Sequence, residues 1–500
     1  MLIKSTHCVL FALIFLALGS SFRLNAQADD ASIRNEKYPF LRQDINVIDN
    51  NLEGLKHFYR QLDLLLSGKK RTVNIVHIGD SHIQADWFSG KVRKELQEEF
   101  GSVGRGLVFP YRVAKTNSPP DINSSSNVQW SSKRNIHRSG NMPIGISGIT
   151  IQTRSSDFVL KLGVQGNENK FNKITLFTEK GPLSYNLNVS SNPDQSKEDL
   201  NPSISLQGNE LSHEQAIYHE VIAGESLASI AETYRVSIAS VKELNHIEGS
   251  TIYAGQKLLI KRTKILNHTP ISSSQYQDYS SVATGFHSSS QFVSTVYLPE
   301  AVNTVFLRGD KNMDSQNEAT IYGIVLENYE HSGILYHMVG VNGAQFIHYN
   351  NSSELFLEQL QVLRPDLIII SLGANETANK WFNGDHFFKQ LDTFIHSLEQ
   401  NTPHASILLT TPADALLSRQ YPNENITKAR DIIIDYAIRN GLAAWNFYDV
   451  MGGLESIRNW YNTGLAQRDH LHLTKAGYEL QGTLLFEAII NGYGSYRAER

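Results

Sequence analysis

The sequence predicts an α/β fold: a parallel sheet flanked by helices, interrupted by an inserted β-sandwich that itself carries a small β-α-α-β module. Three observations carry this expectation. Strand–turn–helix patterns occur near the start of the chain and return in its last third. Between them Ser, Asn and Gly become dense, and short runs alternate apolar and polar residues. Inside that region one segment switches to helical spacing. Strands that alternate with helices mean a parallel sheet, and alternating strands separated by turns mean a sandwich.

The chain opens with Lys4, the apolar run CVLFALIFLAL from Cys8 to Leu18, and Ala26-Gln27-Ala28 as a small-x-small site. That order predicts a secretory signal peptide over residues 1–28, cut after Ala28. The run is too short for a membrane anchor, which needs roughly 20 apolar residues. No other run is long enough to span a membrane. The single cysteine, Cys8, falls inside the signal. The mature chain is therefore expected to lack disulfides and thiol chemistry.

In LEGLKHFYRQLDLLL, Leu52, Leu55, Phe58, Leu62 and Leu65 recur at three- and four-residue steps, which predicts a helix. TVNIVHIGD is a β-branched run that reads as a buried strand, and FSGKVRKELQEEFG as an amphipathic helix ending at Gly101. These open the first part of an α/β domain, residues 35–118. The insertion is expected over 119–324, with strand-like runs such as DFVLKLGVQ, QFVSTVYLPEAVNTVFLRGD and ATIYGIVLEN. From 325 to 495 the α/β pattern resumes. GILYHMVGVNGAQ, PDLIIISLGANET and ASILLTTPAD read as strands, with HFFKQLDTFIHSLEQN and NITKARDIIIDYAIRNG as helices between and after them.

Within the insertion, Tyr218 to Lys261 has another rhythm. Ser226 and Ser237 are N-cap candidates, with Leu227, Ile230 and Tyr234 on one helical face, and Ile238 with Val241 on another. With GESLASIA entering the first helix, Leu244-Asn245 after the second and IYAGQKLLI as the closing strand, residues 218–261 closely resemble a LysM module. The resemblance implies binding to N-acetylglucosamine-containing glycans, chiefly peptidoglycan or chitin. The other reading is a helical hairpin that only braces the sandwich.

Composition narrows the function classes. With 500 residues, 41% hydrophobic and 19% charged, the chain is globular and has more than one domain. A net charge of -5, without a basic tract of five residues, argues against nucleic acid as a partner.

In an open parallel sheet, reactive residues gather at the carboxyl ends of the strands. The residues expected there are Gly79, Asp80, Ser81 and His82; Asn342 and Gly343; Gly373, Asn375 and Glu376; and Asp469, His470 and His472 in RDHLHLTKAGY. A serine in a strand-to-helix turn can attack a carbonyl carbon if a base takes its proton. Acyl transfer also needs an orienter for the base and donors for the oxyanion. Asp469 and His472, three apart, allow the carboxylate to hold the imidazole tautomer. Gly343 offers an unobstructed N–H, Asn375 an amide, and Ser81 its own N–H.

These four blocks, GDSH from Gly79, VNGA around Gly343, GANE from Gly373 and DHLH from Asp469, resemble those of the SGNH hydrolases, also called GDSL-type esterases. The resemblance implies an SGNH-type sheet with Ser81 as nucleophile, His472 as base and Asp469 as its orienter. Ser81, Gly343 and Asn375 would form the oxyanion hole. Glu376 departs from the usual Asp after the asparagine, and the interval between the first two blocks is unusually long. His470 is the competing base, and Gly340 the alternative oxyanion glycine. His82 is expected to point away from the site, while Asp86 and Trp87 either shape the pocket or lie on a helix surface. No zinc pattern such as H-E-x-x-H occurs, and neither metal nor cofactor is called for.

GDSH…ADWFSG and FYDVMGG before DHLHLTKAGY resemble the peptidoglycan O-acetylesterases in particular. That implies an exported, periplasmic or secreted esterase of the cell envelope that removes O-acetyl groups from wall polysaccharide, most readily 6-O-acetyl N-acetylmuramic acid. The alternatives are an esterase or acetyltransferase for another acetylated polysaccharide, and a non-catalytic glycan-binding wall protein.

Overall fold

The run Thr72–Gly79 forms the strand around which the α/β part is arranged. It pairs in parallel with Gly333–Gly340 over eight positions, from Thr72↔Gly333 to Gly79↔Gly340. Its other edge pairs in parallel with Leu367–Ser371, Ser371 lying opposite Gly79. Ser406–Thr410 and Ala443–Trp445 extend the sheet, and the short antiparallel strand Ile48–Asp49 closes it. The two halves of the chain therefore build one sheet. The computed structural model describes residues 33–34, 36–137, 142–191, 210–221, 225–234, 236–268 and 291–500. The expected signal peptide, residues 1–28, lies outside the described residues.

Taken in chain order, the five parallel strands stand 2-1-3-4-5 across the sheet. The chain leaves the first strand toward one edge and later returns to its other side. Such a reversal leaves a crevice outside the carboxyl ends of strands one and three. Ser81 follows the first of these strands, and Asn375 follows the other. Two sets of helices pack the sheet. Lys56–Leu66, Phe88–Phe100 and Lys475–Ala498 contact one another, and Gly384–Asn401 contacts both Ser353–Val362 and Glu424–Arg439. Phe58, Leu62, Val92 and Leu96 are fully buried, as the helical spacing requires.

A buried polar chain crosses the sheet. His77 Nδ1 lies 2.7 Å from Tyr336 Oη, and Nε2 lies 2.7 Å from Ser371 Oγ, which meets Thr410 Oγ1 at 2.8 Å. Burial pushes His77 down to about 3, so the ring is neutral and both nitrogens are satisfied.

Outside the small module, the described residues of the inserted region form two antiparallel sheets. One contains Phe171–Glu179, Ala319–Glu327 and Gln291–Val302, with Ile149–Thr153 and Ser131–Arg134. The other contains Ile122–Ser126, Val159–Val164, Asn186–Ser190 and Thr304–Asp310, where Val305 and Leu307 are buried between partly exposed neighbours. Both contribute to one hydrophobic core with the α/β part. The insertion is wider than the sequence pattern placed it. Gly106–Val108 pairs with Ile324–Leu326, ahead of residue 119, and the partner strand runs to Glu327, past 324. GRGLVFPY is as apolar as the α/β strands, so composition changes only after the first strand of the new sheet. At Gly106, whose φ is 78°, an added Cβ would lie 2.1 Å from the Tyr336 carbonyl oxygen.

In the small module, Glu210–Glu220 and Lys257–His268 form an antiparallel pair around helices Leu227–Thr233 and Ile238–Leu244. Val221, Leu227, Ile230, Val241, Leu258 and Ile260 form its own core. Ser237 caps the second helix by accepting the Ser240 N–H at 3.0 Å. The Asn245 amide ties the end of that helix to the closing strand, both accepting from and donating to the Leu259 backbone at 2.7 Å. Ile238, placed on the same face as Val241 by the pattern, is 41% exposed. It is the first residue of its helix and turns outward.

Candidate active site

Gly79 ends the first strand because nothing larger fits. An added Cβ would lie 2.3 Å from Ile83 Cγ1 and 2.8 Å from the Ser371 carbonyl oxygen. Asp80 then caps the short helix Ser81–Gln84, accepting the His82 N–H at 2.9 Å. This places Ser81 on the first residue of a helix at the sheet's carboxyl edge. Gly340 ends the neighbouring strand, where an added Cβ would lie 2.4 Å from the Gln84 nitrogen. Gly340 is thus a packing position, and Gly343 lies in the loop beyond it.

Ser81 Oγ and His472 Nε2 are 3.1 Å apart. His472 Nδ1 lies 2.8 Å from Asp469 Oδ2, and Asp469 Oδ1 accepts the N–H groups of Leu471 and His472 at 3.1 and 3.0 Å. Burial would raise the Asp469 carboxyl, but the His472 ring and these two N–H groups outweigh it and hold it below the usual carboxylate value. An Asp469–His472–Ser81 chain of this kind fixes the proton on Nδ1 and leaves Nε2 free to accept from Oγ. His470 is held elsewhere: its ring packs on Tyr461 with centroids 4.6 Å apart.

Two of the expected oxyanion donors stand free. Among the described residues, neither the Ser81 N–H nor the Gly343 N–H meets an acceptor. Gly343 has φ 81°, and an added Cβ would find only Ile136 Cδ1, at 3.8 Å. The position of this loop is set by Gln84, whose Oε1 accepts the Asn342 N–H at 2.7 Å. The third expected donor is occupied. Asn375 Nδ2 donates to Asp80 Oδ2 at 2.9 Å and to the Ala344 carbonyl at 3.0 Å.

Asp80 is 1% exposed, and burial raises it to about 7 against the opposing pull of its hydrogen bonds from His82 and Asn375. Burial likewise raises Glu376 to about 8, although Oε1 accepts the Phe346 N–H at 2.9 Å.

His82 does not point away from the site. Its ring stacks on His472, with centroids 5.2 Å apart and planes at 27°, and its Nδ1 lies 2.8 Å from Tyr478 Oη. The capped helix start turns residue 82 toward the helix Lys475–Ala498, where Tyr478 holds it. Burial first, then the neighbouring His472, push His82 down to about 3. No signal within the GDSH stretch alone reports Tyr478. Asp86 neither lines a pocket nor lies on a surface. It is 5% exposed and binds Ser89 Oγ, Arg93 and the fully buried Arg105. Trp87 lies under Lys475, whose Nζ is 4.8 Å from the ring centroid.

Residues 318–480 match the GDSL-like lipase/acylhydrolase family, and residues 219–261 match the LysM domain. The chain carries a GDSL-like lipase/acylhydrolase domain. The acylhydrolase match contains Gly343, Asn375, Asp469 and His472, while Ser81 lies outside it and is brought to it by the pairing of Thr72–Gly79 with Gly333–Gly340. The domain is one of lipases and acylhydrolases, and it makes the chain a hydrolase of ester bonds.

Among solved structures, the acylhydrolase is similar to a peptidoglycan O-acetylesterase at 19% identity and TM-score 0.57, over 88% of this chain and 96% of that one. The likeness shows a shared fold. An acetyl xylan esterase matches at 19% identity and TM-score 0.27, over 31% of this chain and 81% of that one. A GDSL-like lipase from Bacteroides thetaiotaomicron matches at 22% identity and TM-score 0.26, over 31% and 76%. No curated protein matches. Among the described residues, no helix is long and apolar enough to cross a membrane.

Proposed function

We propose that this acylhydrolase is an exported, envelope-associated serine esterase that removes acetyl groups from wall polysaccharide, most readily the 6-O-acetyl of N-acetylmuramic acid in peptidoglycan. The observation that carries the reading is the 3.1 Å approach of Ser81 Oγ to His472 Nε2, with Asp469 behind the imidazole at 2.8 Å. The substrate reading rests on the LysM match and on the likeness to a peptidoglycan O-acetylesterase over most of the chain.

Ser81 Oγ attacks the acetyl carbonyl carbon as His472 Nε2 takes its proton. The oxyanion forms against the N–H groups of Ser81 and Gly343. Asn375 completes the hole by sharing one of the N–H groups it gives to Asp80 and Ala344 in the resting site. As the intermediate collapses, the bond to the sugar oxygen breaks and the imidazolium returns the proton to it, freeing the hydroxyl. Water then gives a proton to His472 and its oxygen to the acyl carbon. Acetate leaves, and Ser81 regains its hydrogen. The LysM module holds the enzyme on its polymer and raises the local substrate concentration.

The test is acetate release from O-acetylated peptidoglycan and from acetylxylan, with the Ser81→Ala variant beside the native enzyme. Release from the first, abolished in the variant, is expected. Activity on acetylxylan alone would overturn the substrate, and undiminished hydrolysis by Ser81→Ala would overturn the mechanism.

A further inference from the structure

A cavity of about 200 Å³ lies against Asp469 and His472, and its lining includes Ala378, Asn423, Ser418 and Arg419. It therefore opens beside the proposed base, where the sugar that carries the ester would extend. One part of its wall is unusual. Leu417 and Tyr421 pair with N–H···O distances of 2.8 and 3.0 Å, closing a tight turn whose tip holds Ser418 and Arg419. Both tip residues adopt left-handed backbone, with φ 52° and 65°. Neither is glycine, and such conformations cost on the order of 1 kcal/mol or more each.

The surroundings hold this costly turn in place. The Leu416 N–H donates to the His470 carbonyl at 2.9 Å, tying the turn to the loop that carries Asp469 and His472. Arg458 Nη2 donates to the Gln420 carbonyl at 2.8 Å from the other side. What the turn presents is a cation. Arg34, Arg93, Arg105, Arg430 and Arg458 all lie against carboxylates. Among the described residues, the Arg419 guanidinium makes no ion pair and no hydrogen bond, only its backbone N–H being engaged. The one carboxylate in the cavity lining, Asp469, is already engaged by His472.

We propose that this cavity is a subsite for a carboxylate on the acylated glycan, with Arg419 as its specificity-determining residue. It rests on the esterase reading of Ser81 and His472 and adds to it the charge of the substrate. A guanidinium presents a planar fork of N–H donors that matches a carboxylate and holds it in one orientation. In a muramic-acid polymer that group is the lactyl carboxylate or, where it is amide-linked, a carboxylate of the attached peptide. A neutral acetylated xylan has none. The turn would thus bind anionic glycans in preference to neutral ones.

The experiment compares the full-length enzyme with Arg419→Ala and Arg419→Lys on four substrates. These are p-nitrophenyl acetate, O-acetylated peptidoglycan with its peptides, the same polymer stripped by an amidase, and the same polymer with its carboxylates converted to amides. On the acidic polymers Arg419→Ala is expected to raise KM about tenfold more than it does on p-nitrophenyl acetate, with kcat little changed. Arg419→Lys should recover part of that loss. The native enzyme should show a matching loss on the amidated polymer, and Arg419→Ala no further loss there. A larger effect on stripped than on intact polymer assigns the lactyl carboxylate, and the reverse assigns the peptide. Equal effects of Arg419→Ala on neutral and acidic substrates would overturn the subsite. If the native enzyme released no acetate from any peptidoglycan, the wall reading would fail while the subsite stayed testable. It would then have to favour an acetylated polyuronate over acetylxylan, and to lose that preference in Arg419→Ala.

Discussion

Replacing Asp469 by Asn tests the proposed site at the residue that orients its base. The substitution is nearly isosteric. An Asn oxygen can keep accepting the N–H groups of Leu471 and His472, now at 3.1 and 3.0 Å. The new amide nitrogen would face His472 Nδ1, where Asp469 Oδ2 now lies at 2.8 Å. Two donors cannot share that contact, so Nδ1 gives up its proton and Nε2 takes it. Nε2 would then point a hydrogen at Ser81 Oγ and could no longer act as a base. The imidazolium would also lose its counter-charge. Two unit charges about 4 Å apart attract by about 4 kcal/mol at an effective permittivity near 20. The Asp469 and His472 side chains are 25% and 32% exposed, so water screens part of this. The combined expectation is a fall in kcat of about 10²- to 10⁴-fold, or ~3–5 kcal/mol in the barrier. Hydrolysis of p-nitrophenyl acetate measures it, with a urea melt to show that Asp469→Asn is as stable as the native chain. Asp469→Ala should lose similar activity but also about 1–3 kcal/mol of stability, since two N–H groups lose their acceptor. An Asp469→Asn enzyme within threefold of native activity, with an unchanged pH profile, would refute the reasoning.

Four further outcomes are expected. Asp80→Asn offers one oxygen to two donors, the His82 N–H and the Asn375 amide, so Asn375 should be displaced and kcat should fall about 10²-fold; native-like kcat would separate Asn375 from the oxyanion. Asp80 is raised to about 7 when folded, against about 3.9 unfolded, so the folded state binds the extra proton between those values and stability falls as pH rises through that window. Urea midpoints of Asp80→Asn should rise relative to those of the native chain from pH 4.5 to about 7 and run parallel to them above it. Gly79→Ala forces a methyl to 2.3 Å from Ile83 Cγ1, which should cost about 1–3 kcal/mol in a thermal or urea melt and lower activity by shifting the Ser81 turn. Deleting residues 219–261 should lower acetate release from insoluble wall at least tenfold while leaving p-nitrophenyl acetate hydrolysis within twofold, because only the polymer is concentrated by the module.

Much of this arrangement is legible in sequence because it depends on short local patterns. The strand–turn–helix at Gly79–Gln84 follows from a β-branched run, a glycine that only Gly can fill, and an aspartate cap. The three-residue spacing of Asp469 and His472 brings their side chains together without help from distant contacts. What escaped is non-local. His82 lies over His472 because Tyr478 holds its Nδ1, a partner almost four hundred residues away. Asp86 is buried because Arg105, at the entry to the inserted sheet, reaches back to it. The edges of the insertion are hidden from composition for the same reason: Gly106–Val108 pairs with a strand far along the chain while keeping the composition of its neighbours.

These distant contacts also explain how a site split by so long an insertion can be held together. Each block is braced by another block. Asn375 donates to Asp80, Tyr349 Oη donates to the Gly79 carbonyl at 2.7 Å, and His82 joins Tyr478. Gln84 makes the decisive brace. Its Oε1 holds the Asn342 N–H, while its Nε2 donates to Thr116 Oγ1 and the Asn117 carbonyl at 2.9 Å. The same buried amide thus joins the Ser81 helix, the loop that presents the Gly343 N–H, and a loop that follows the first inserted strand. A buried amide with all three of these partners strongly prefers one orientation, because releasing any of them leaves a polar group unsatisfied. The insertion therefore does more than carry the LysM module: through Thr116 and Asn117 it helps set the distance between Ser81 and the Gly343 N–H.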